Sequence, residues 1–276
     1  MTKLEYTFQS DVLFKMLFVR NQGLLRHLIA VLLSIPLDSI TSLVVTNTEI
    51  PPEEVGNKFC RLDIRMTADG KDIDIELQAY NEGNYPARML YYASKMVAGN
   101  LLKGEDYNAL PRTIVISILG FNLFPGPDMH SEFALLERTR HHLLTDKLGF
   151  HFFELPKLPT IQNLDTSSQR NLWLSLFNAQ TEEELTQLEQ EGGPLMSEAV
   201  TAYRTVTATP EFKQLEWMRQ KTKLDEQNAL SVARKAGKEE MIIAAIRSNL
   251  PKNSILAMCQ LAGITPARLE EILQEL

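Results

Sequence analysis

The chain has 276 residues, 44% of them apolar and 23% charged, and a net charge of −7. That length holds one large domain or two smaller ones with ample core, and the composition is that of an ordinary soluble globular protein. The acidic balance argues against binding nucleic acid through overall basic charge, while local basic patches beside a carboxylate site stay open.

No apolar run approaches the roughly 18–20 residues that span a bilayer, so no membrane partner is expected. The first residues, MTKLEYTFQSD, lack the charged-then-apolar layout of a signal peptide. Cys60 and Cys259 lie far apart and in no metal-ligand spacing. The expectation is a reducing, cytoplasmic home.

In chain order, Ser10 is placed to cap a helix beginning at Asp11, with Leu13, Phe14, Leu17 and Phe18 as its apolar stripe. Asp11 and Lys15 stand at i, i+4 and share a face, as a surface ion pair would. A second apolar helix, LLRHLIAVLLS, follows Gly23 and ends before Pro36. Residues 40–50 are rich in β-branched side chains and stop at Pro51-Pro52, which predicts a strand.

Arg61 to Tyr80, RLDIRMTADGKDIDIELQAY, reads as two alternating strands joined by Asp69-Gly70, a strong hairpin signal. With a two-residue loop, Asp63 faces Glu76, Arg65 faces Asp74 and Arg61 faces Gln78. Those six side chains share one face. Leu62, Ile64, Met66, Ile73, Ile75 and Leu77 cover the other. Opposed carboxylates at cross-strand distance repel, and a bound cation is the simplest way to offset that cost.

A helix then starts near Pro86, with Gly104 as its stop. Arg88, Tyr92 and Lys95 lie along one face, opposite Met89, Leu90, Ala93 and Val97. Pro111 introduces the buried-looking strand RTIVISILGFNLF, and 133–137 and 150–155 read as further strands at the sheet edge. Strands alternating with helices in this order predict a mixed sheet with helices on its faces, the domain closing at Pro156 and Pro159.

From about residue 161 the pattern is helical and charged, broken at Gly192-Gly193-Pro194, Pro251, and Gly263 with Pro266. The expected division is therefore 1–160 and 161–276. The last stretch, ILAMCQLAGITPARLEEIL, has a helix-turn-helix layout, but its acidic second helix fits a plain helical hairpin or an assembly element better than a base-reading one.

The chemistry falls on the hairpin. Mg²⁺ prefers a couple of carboxylates, waters and phosphate oxygens. Asp63 and Glu76, with the Leu77 carbonyl, are the candidate ligands, and Gln78 shares their face and is placed to orient a water. Lys15, Arg61 and Arg88 are candidates for the positive charge that a neutral amide does not supply. A polar face that is merely wet is the competing account. His141, His142 and His151 have no ligand companions at useful spacing, and there is no phosphate loop and no Gly-x-Ser-x-Gly elbow.

Asp63, a gap of twelve residues, then Glu76-Leu77-Gln78, set in the order α-β-β-β-α-β, resembles a PD-(D/E)XK nuclease core. More narrowly the chain is similar to the Rpn family of recombination-promoting nucleases and transposases. DVLFKMLF, RLDIRM, IDIELQ, ARMLYYASKM, HFFELPKL and the charged helical C-terminal third carry that resemblance. It implies an α/β fold with a mixed sheet followed by a helical C-terminal region, and a Mg²⁺- or Mn²⁺-dependent DNA endonuclease linked to recombination.

By the same resemblance Asp63 and Glu76 are the metal ligands and Asp11 an accessory acid. Gln78 takes the place of the superfamily lysine, and Arg88 and Tyr92 form an R-x-x-x-Y pattern for DNA positioning or support of the site. Leu62 stands where a proline often precedes the first Asp. DNA is the implied partner, with a homo-oligomer through the helical region as a further expectation. The alternative reading is a catalytically weak nuclease fold that binds DNA or protein.

Overall fold

A computed structural model describes residues 2–46, 49–50, 60–61 and 63–276, with the side chains of 49–50 and 60–61 outside the description. Arg61 and Leu62, expected on opposite faces of the hairpin, have side chains that lie outside the described residues.

Helix α1 (Asp11–Arg20) starts where expected: Ser10 Oγ accepts the Leu13 N–H at 3.3 Å, and Leu13, Phe14, Leu17 and Phe18 are buried. Helix α2 (Gln22–Leu33) ends at Ser34 in the left-handed conformation, just before Pro36. Strands β1 (Leu43–Val45) and β2 (Glu49–Ile50) share the segment read as one strand, and β2 pairs with β3 (Cys60–Arg61) in a separate ribbon.

Strands β4 (Ile64–Ala68) and β5 (Lys71–Gln78) form the hairpin in the expected register, with Arg65 opposite Asp74 and Ile64 opposite Ile75. Asp69 and Gly70 take φ of 46° and 71°, the paired positive values of a type I′ turn that matches strand twist. The exposed Asp69 carboxylate also accepts the Thr41 and Ser42 N–H groups, tying the turn to the chain leading into β1.

Helix α3 (Tyr85–Gly99) ends at Asn100, so the stop comes before Gly104. Its buried line is Tyr85, Met89, Ala93 and Met96, whereas Leu90 is 56% exposed and belongs to the outer side. Strand β6 (Arg112–Leu119) follows, then β7 (His130–Leu136) and β8 (Leu143–Glu154), both longer than their sequence signals. The sheet order is β1-β4-β5-β6-β8-β7. Strand β8 is therefore interior, parallel to β6, and β7 alone of that pair forms the edge.

Helices α4 (Gln169–Asn178) and α5 (Glu182–Ala208) pack with α1 and α2 on one side of the sheet. Within α5, Gly193 leaves helical geometry at φ 63°, marking the expected break before Pro194. Helix α6 (Pro210–Arg247) begins in this compact unit, which runs to Glu216. Chain contacts gather Met1–Glu216 into one compact unit, in which Trp173, Phe177 and Tyr203 belong to the same core as the sheet.

The second unit, Trp217–Leu276, contains the rest of α6, α7 (Lys252–Ala262) and α8 (Pro266–Glu275) around Ile242, Cys259 and Leu269. Gly263 makes the left-handed turn between its last two helices. No single helix among the described residues is long and apolar enough to cross a membrane.

Candidate active site

The antiparallel ladder of the hairpin stops at Ile64, and the next residue inward does something else. Asp63 donates its backbone N–H to Glu76 Oε1 at 2.9 Å, and its own Oδ2 accepts the Leu77 N–H at 2.9 Å. Each acid thus clasps the backbone beside the other. Two carboxylates that repel are held face to face by bonds a slipped register would break.

Helix α1 reaches the pair from one side. Lys15 Nζ lies 3.1 Å from Asp63 Oδ1, a contact between α1 and the hairpin that helix spacing alone did not show. Asp11, one turn earlier, adds its negative charge to the surroundings of Asp63.

Helix α3 reaches it from the other side. Arg88 Nη2 donates to Gln78 Oε1 at 2.7 Å and Nη1 to Glu82 Oε2 at 3.0 Å, and its guanidinium sits 4.9 Å from the Tyr85 ring centre. Gln78 Nε2 in turn donates to the Tyr80 carbonyl at 2.9 Å. The amide expected to orient a water is therefore engaged at both ends, and its visible work is to hold Arg88. Tyr92 is half-buried on α3, its ring centre 6.5 Å from that of Tyr91.

Burial dominates the electrostatics. It raises the pKa of Asp63 against the opposing pull of Lys15 and the Leu77 N–H. Burial, then the charge of Asp63, pushes Glu76 up to about 8, with Arg88 and Lys15 working the other way. Asp74 is raised well above the usual carboxylate range by burial and by Glu76 and Asp63. These are the shifts of acids crowded together out of water, and such clusters concentrate at functional sites.

Arg65 faces Asp74 across the hairpin as expected, while its guanidinium binds on the diagonal. Arg65 binds Asp72 through Nε at 3.0 Å and Nη2 at 2.7 Å, and Asn100 Nδ2 adds a bond to Asp72 at 2.9 Å. Asp74 is left fully buried with neither oxygen meeting a donor. The buried hydroxyls of Tyr85 and Ser117 are likewise without hydrogen-bond partners. Alternation alone put Asp74 on the site's face. Ser117 carried no signal, because its place opposite Glu76 depends on the β5–β6 register.

The donors at the clasp are all oxygen, which suits a hard divalent cation rather than a softer metal. The buried charge that Lys15 only partly offsets gives such a cation a reason to bind, so the residues fit one. Among the described residues no three His, Cys, Asp or Glu side chains gather into a ready-made metal cage. Asp63 and Glu76 are two carboxylates, the number that a Mg²⁺-type ion commonly takes from a protein. Asp11 acts on Asp63 through charge.

The model of the PD-(D/E)XK nuclease family transposases matches residues 8–233, from the approach to α1 through the sheet and into α6. No curated protein and no solved structure matches the chain.

Proposed function

This chain belongs to the PD-(D/E)XK nuclease family of transposases, and we propose that it is a DNA endonuclease that works with Mg²⁺ or Mn²⁺ held by Asp63 and Glu76. The observation that carries the proposal is the reciprocal clasp of buried Glu76 and partly buried Asp63, set between a lysine from α1 and an arginine from α3. When bound, the cation supplies positive charge at a phosphodiester and lowers the pKa of a water.

The chain's own residues divide the remaining work. Glu76 and Asp63 keep their mutual orientation through the Asp63 and Leu77 N–H groups. Lys15 holds Asp63 Oδ1 and brings a cationic head within reach of a phosphate oxygen. Arg88, fixed by Gln78, Glu82 and Tyr85, presents a planar guanidinium suited to the same partner. Gln78 positions Arg88 first, and its carbonyl oxygen keeps capacity to accept from a water. Asp11 is an accessory acid, and Tyr92 supports α3. A link to DNA recombination and a homo-oligomer through the helical region 161–276 belong to the same proposal.

The test is conversion of supercoiled plasmid to nicked or linear DNA with Mg²⁺. We expect Asp63→Ala to lower the rate about 10²–10³-fold or more, as loss of one charge-stabilising group does. Equal rates in the two proteins overturn the site. Mg²⁺-independent retention of DNA with no cleavage overturns the enzyme in favour of a binding fold.

A further inference from the structure

The stretch HFFELPKL, residues 151–158, runs out of β8 into a tight 3-10 turn at Leu155–Lys157 and sets two charges inside the protein. Glu154 is 1% exposed, and Lys157 Nζ, equally out of water, lies 2.6 Å from Glu154 Oε2. Both side chains hold the same short segment. Glu154 Oε1 accepts the N–H groups of Leu123 and Phe124, the second at 3.1 Å, and Lys157 Nζ donates to the Phe124 carbonyl at 3.0 Å. Desolvation offsets the attraction within a buried pair, so net stability is a poor account of it. What it fixes here is the geometry of residues 120–124.

That segment meets Arg88 by two routes. Gly120 donates its N–H to the Gln78 carbonyl at 2.9 Å, and the Gln78 side chain holds Arg88. Phe121 packs edge-on against Tyr85 with ring centres 6.1 Å apart, and the Arg88 guanidinium sits over Tyr85. Phe152 ties the two ends together, 5.2 Å from Phe124 and 6.4 Å from Tyr85. The register sets Gln78, Leu119 and Glu154 in one row across β5, β6 and β8. We propose that Glu154 and Lys157 are positioning residues of the active site: through the 120–124 segment they hold Tyr85 and Gln78, and so aim Arg88 at a phosphate oxygen. The inference rests on the reading of Arg88 as a phosphate contact.

Binding of duplex DNA by the full chain in EDTA, followed by fluorescence anisotropy across a salt series, counts phosphate contacts without needing cleavage. Losing one contact lowers the slope of log K against log[salt] by about 0.9, the change expected of Arg88→Ala. The double variant Glu154→Ala, Lys157→Met removes the pair without leaving one buried charge alone. It is expected to lower the slope by about the same amount, and plasmid cleavage in Mg²⁺ by up to about 10²-fold. In an Arg88→Ala background it should add nothing to either. Phe121→Leu keeps the ion pair and breaks the ring contact, so it keeps the test open if the double variant does not fold. Its expected loss of cleavage is about threefold, the worth of one aromatic pair, and absent once Arg88 is gone. A lower melting temperature with an unchanged salt slope overturns the proposal, because a pair that only supports the fold would do that. Losses that add in full to those of Arg88→Ala overturn it too. A wild-type slope in Arg88→Ala, or no DNA binding by wild type, overturns Arg88 as a phosphate contact and this inference with it.

Discussion

The two faces of β5 carry the same number of turns of the chain's alternation but opposite physics. Ile73, Ile75 and Leu77 point into the large core with Leu13, Leu17 and Phe177, where burial is favourable at every position. Asp72, Asp74, Glu76 and Gln78 point under α3, and the first three are buried there as well. Strict alternation usually means that one face is wet. Here both faces are covered, so the polar one is a concentration of cost held in place by the apolar one. The lesson is that the hydrophobic side of the strand sets the register and the acidic side uses it.

Breaking the apolar side should have the largest effect. Ile75→Ala removes a fully buried side chain from the core and is expected to cost about 2–5 kcal/mol, read as a lower urea midpoint. Because Ile75 is the neighbour of both Asp74 and Glu76, its loss should also reduce cleavage. Unchanged stability would mean that the core closes around the gap and that the two faces are not coupled.

Breaking the acidic side should do the reverse in the absence of metal. Burial and the Asp63 charge hold the folded pKa of Glu76 at about 8, above its ordinary 4.5. The folded state therefore keeps a proton that the unfolded state loses, and stability falls as pH rises from about 4.5 to about 8. The slope from this group is at most about 1.4 kcal/mol per pH unit. In EDTA, Glu76→Gln should flatten that descent and melt higher than wild type at pH 8, while losing cleavage. If the variant melts lower at pH 8, the acid is stabilising and the cost described for this face is absent.

The hairpin was legible because its signals are local. Asp69-Gly70 dictates a turn with two positive φ values, and alternation then fixes which residue faces which. The clasp of Asp63 and Glu76 follows from that register. The partners from other elements were only half legible: spacing shows that Lys15 and Asp11 share a helix face, but packing decides that Lys15 meets Asp63. Asp74 was legible as the residue facing Arg65, but that the long guanidinium binds the diagonal Asp72 was not. Ser117 and Tyr85 were not legible at all. One needs the parallel register of β5 and β6, and the other looks like any aromatic on an apolar helix face. The helices after residue 160 were read correctly as helices, but periodicity does not say that α4 and α5 complete the core of the sheet.

A smaller effect sharpens the contrast from the apolar side. His151, on β8, lies on the same sheet face as Phe153, and its Nδ1 is 3.2 Å from Nε2 of His130, which stacks on Phe153 at 4.4 Å. Glu132 stands 3.9 Å from His151 Nε2, and Arg170 from α4 lies 5.8 Å from the Phe153 ring. Burial lowers both imidazoles, that of His130 to about 4 with help from Arg170 and His151, and the charge of Glu132 does not reverse it. Below the unfolded value of about 6.5 the unfolded chain takes up protons that the folded pair resists. Stability is therefore lost as pH falls from 6.5 toward 4, the opposite sign to Glu76. His130 is only half-buried, so solvent screens the effect and its limb should be the shallower one. Thermal melts of a His130→Gln, His151→Gln double variant should lose part of the acid limb and keep the alkaline descent that Glu76→Gln removes. If one variant flattens both limbs, the two faces titrate as a single network and the separation between them is wrong.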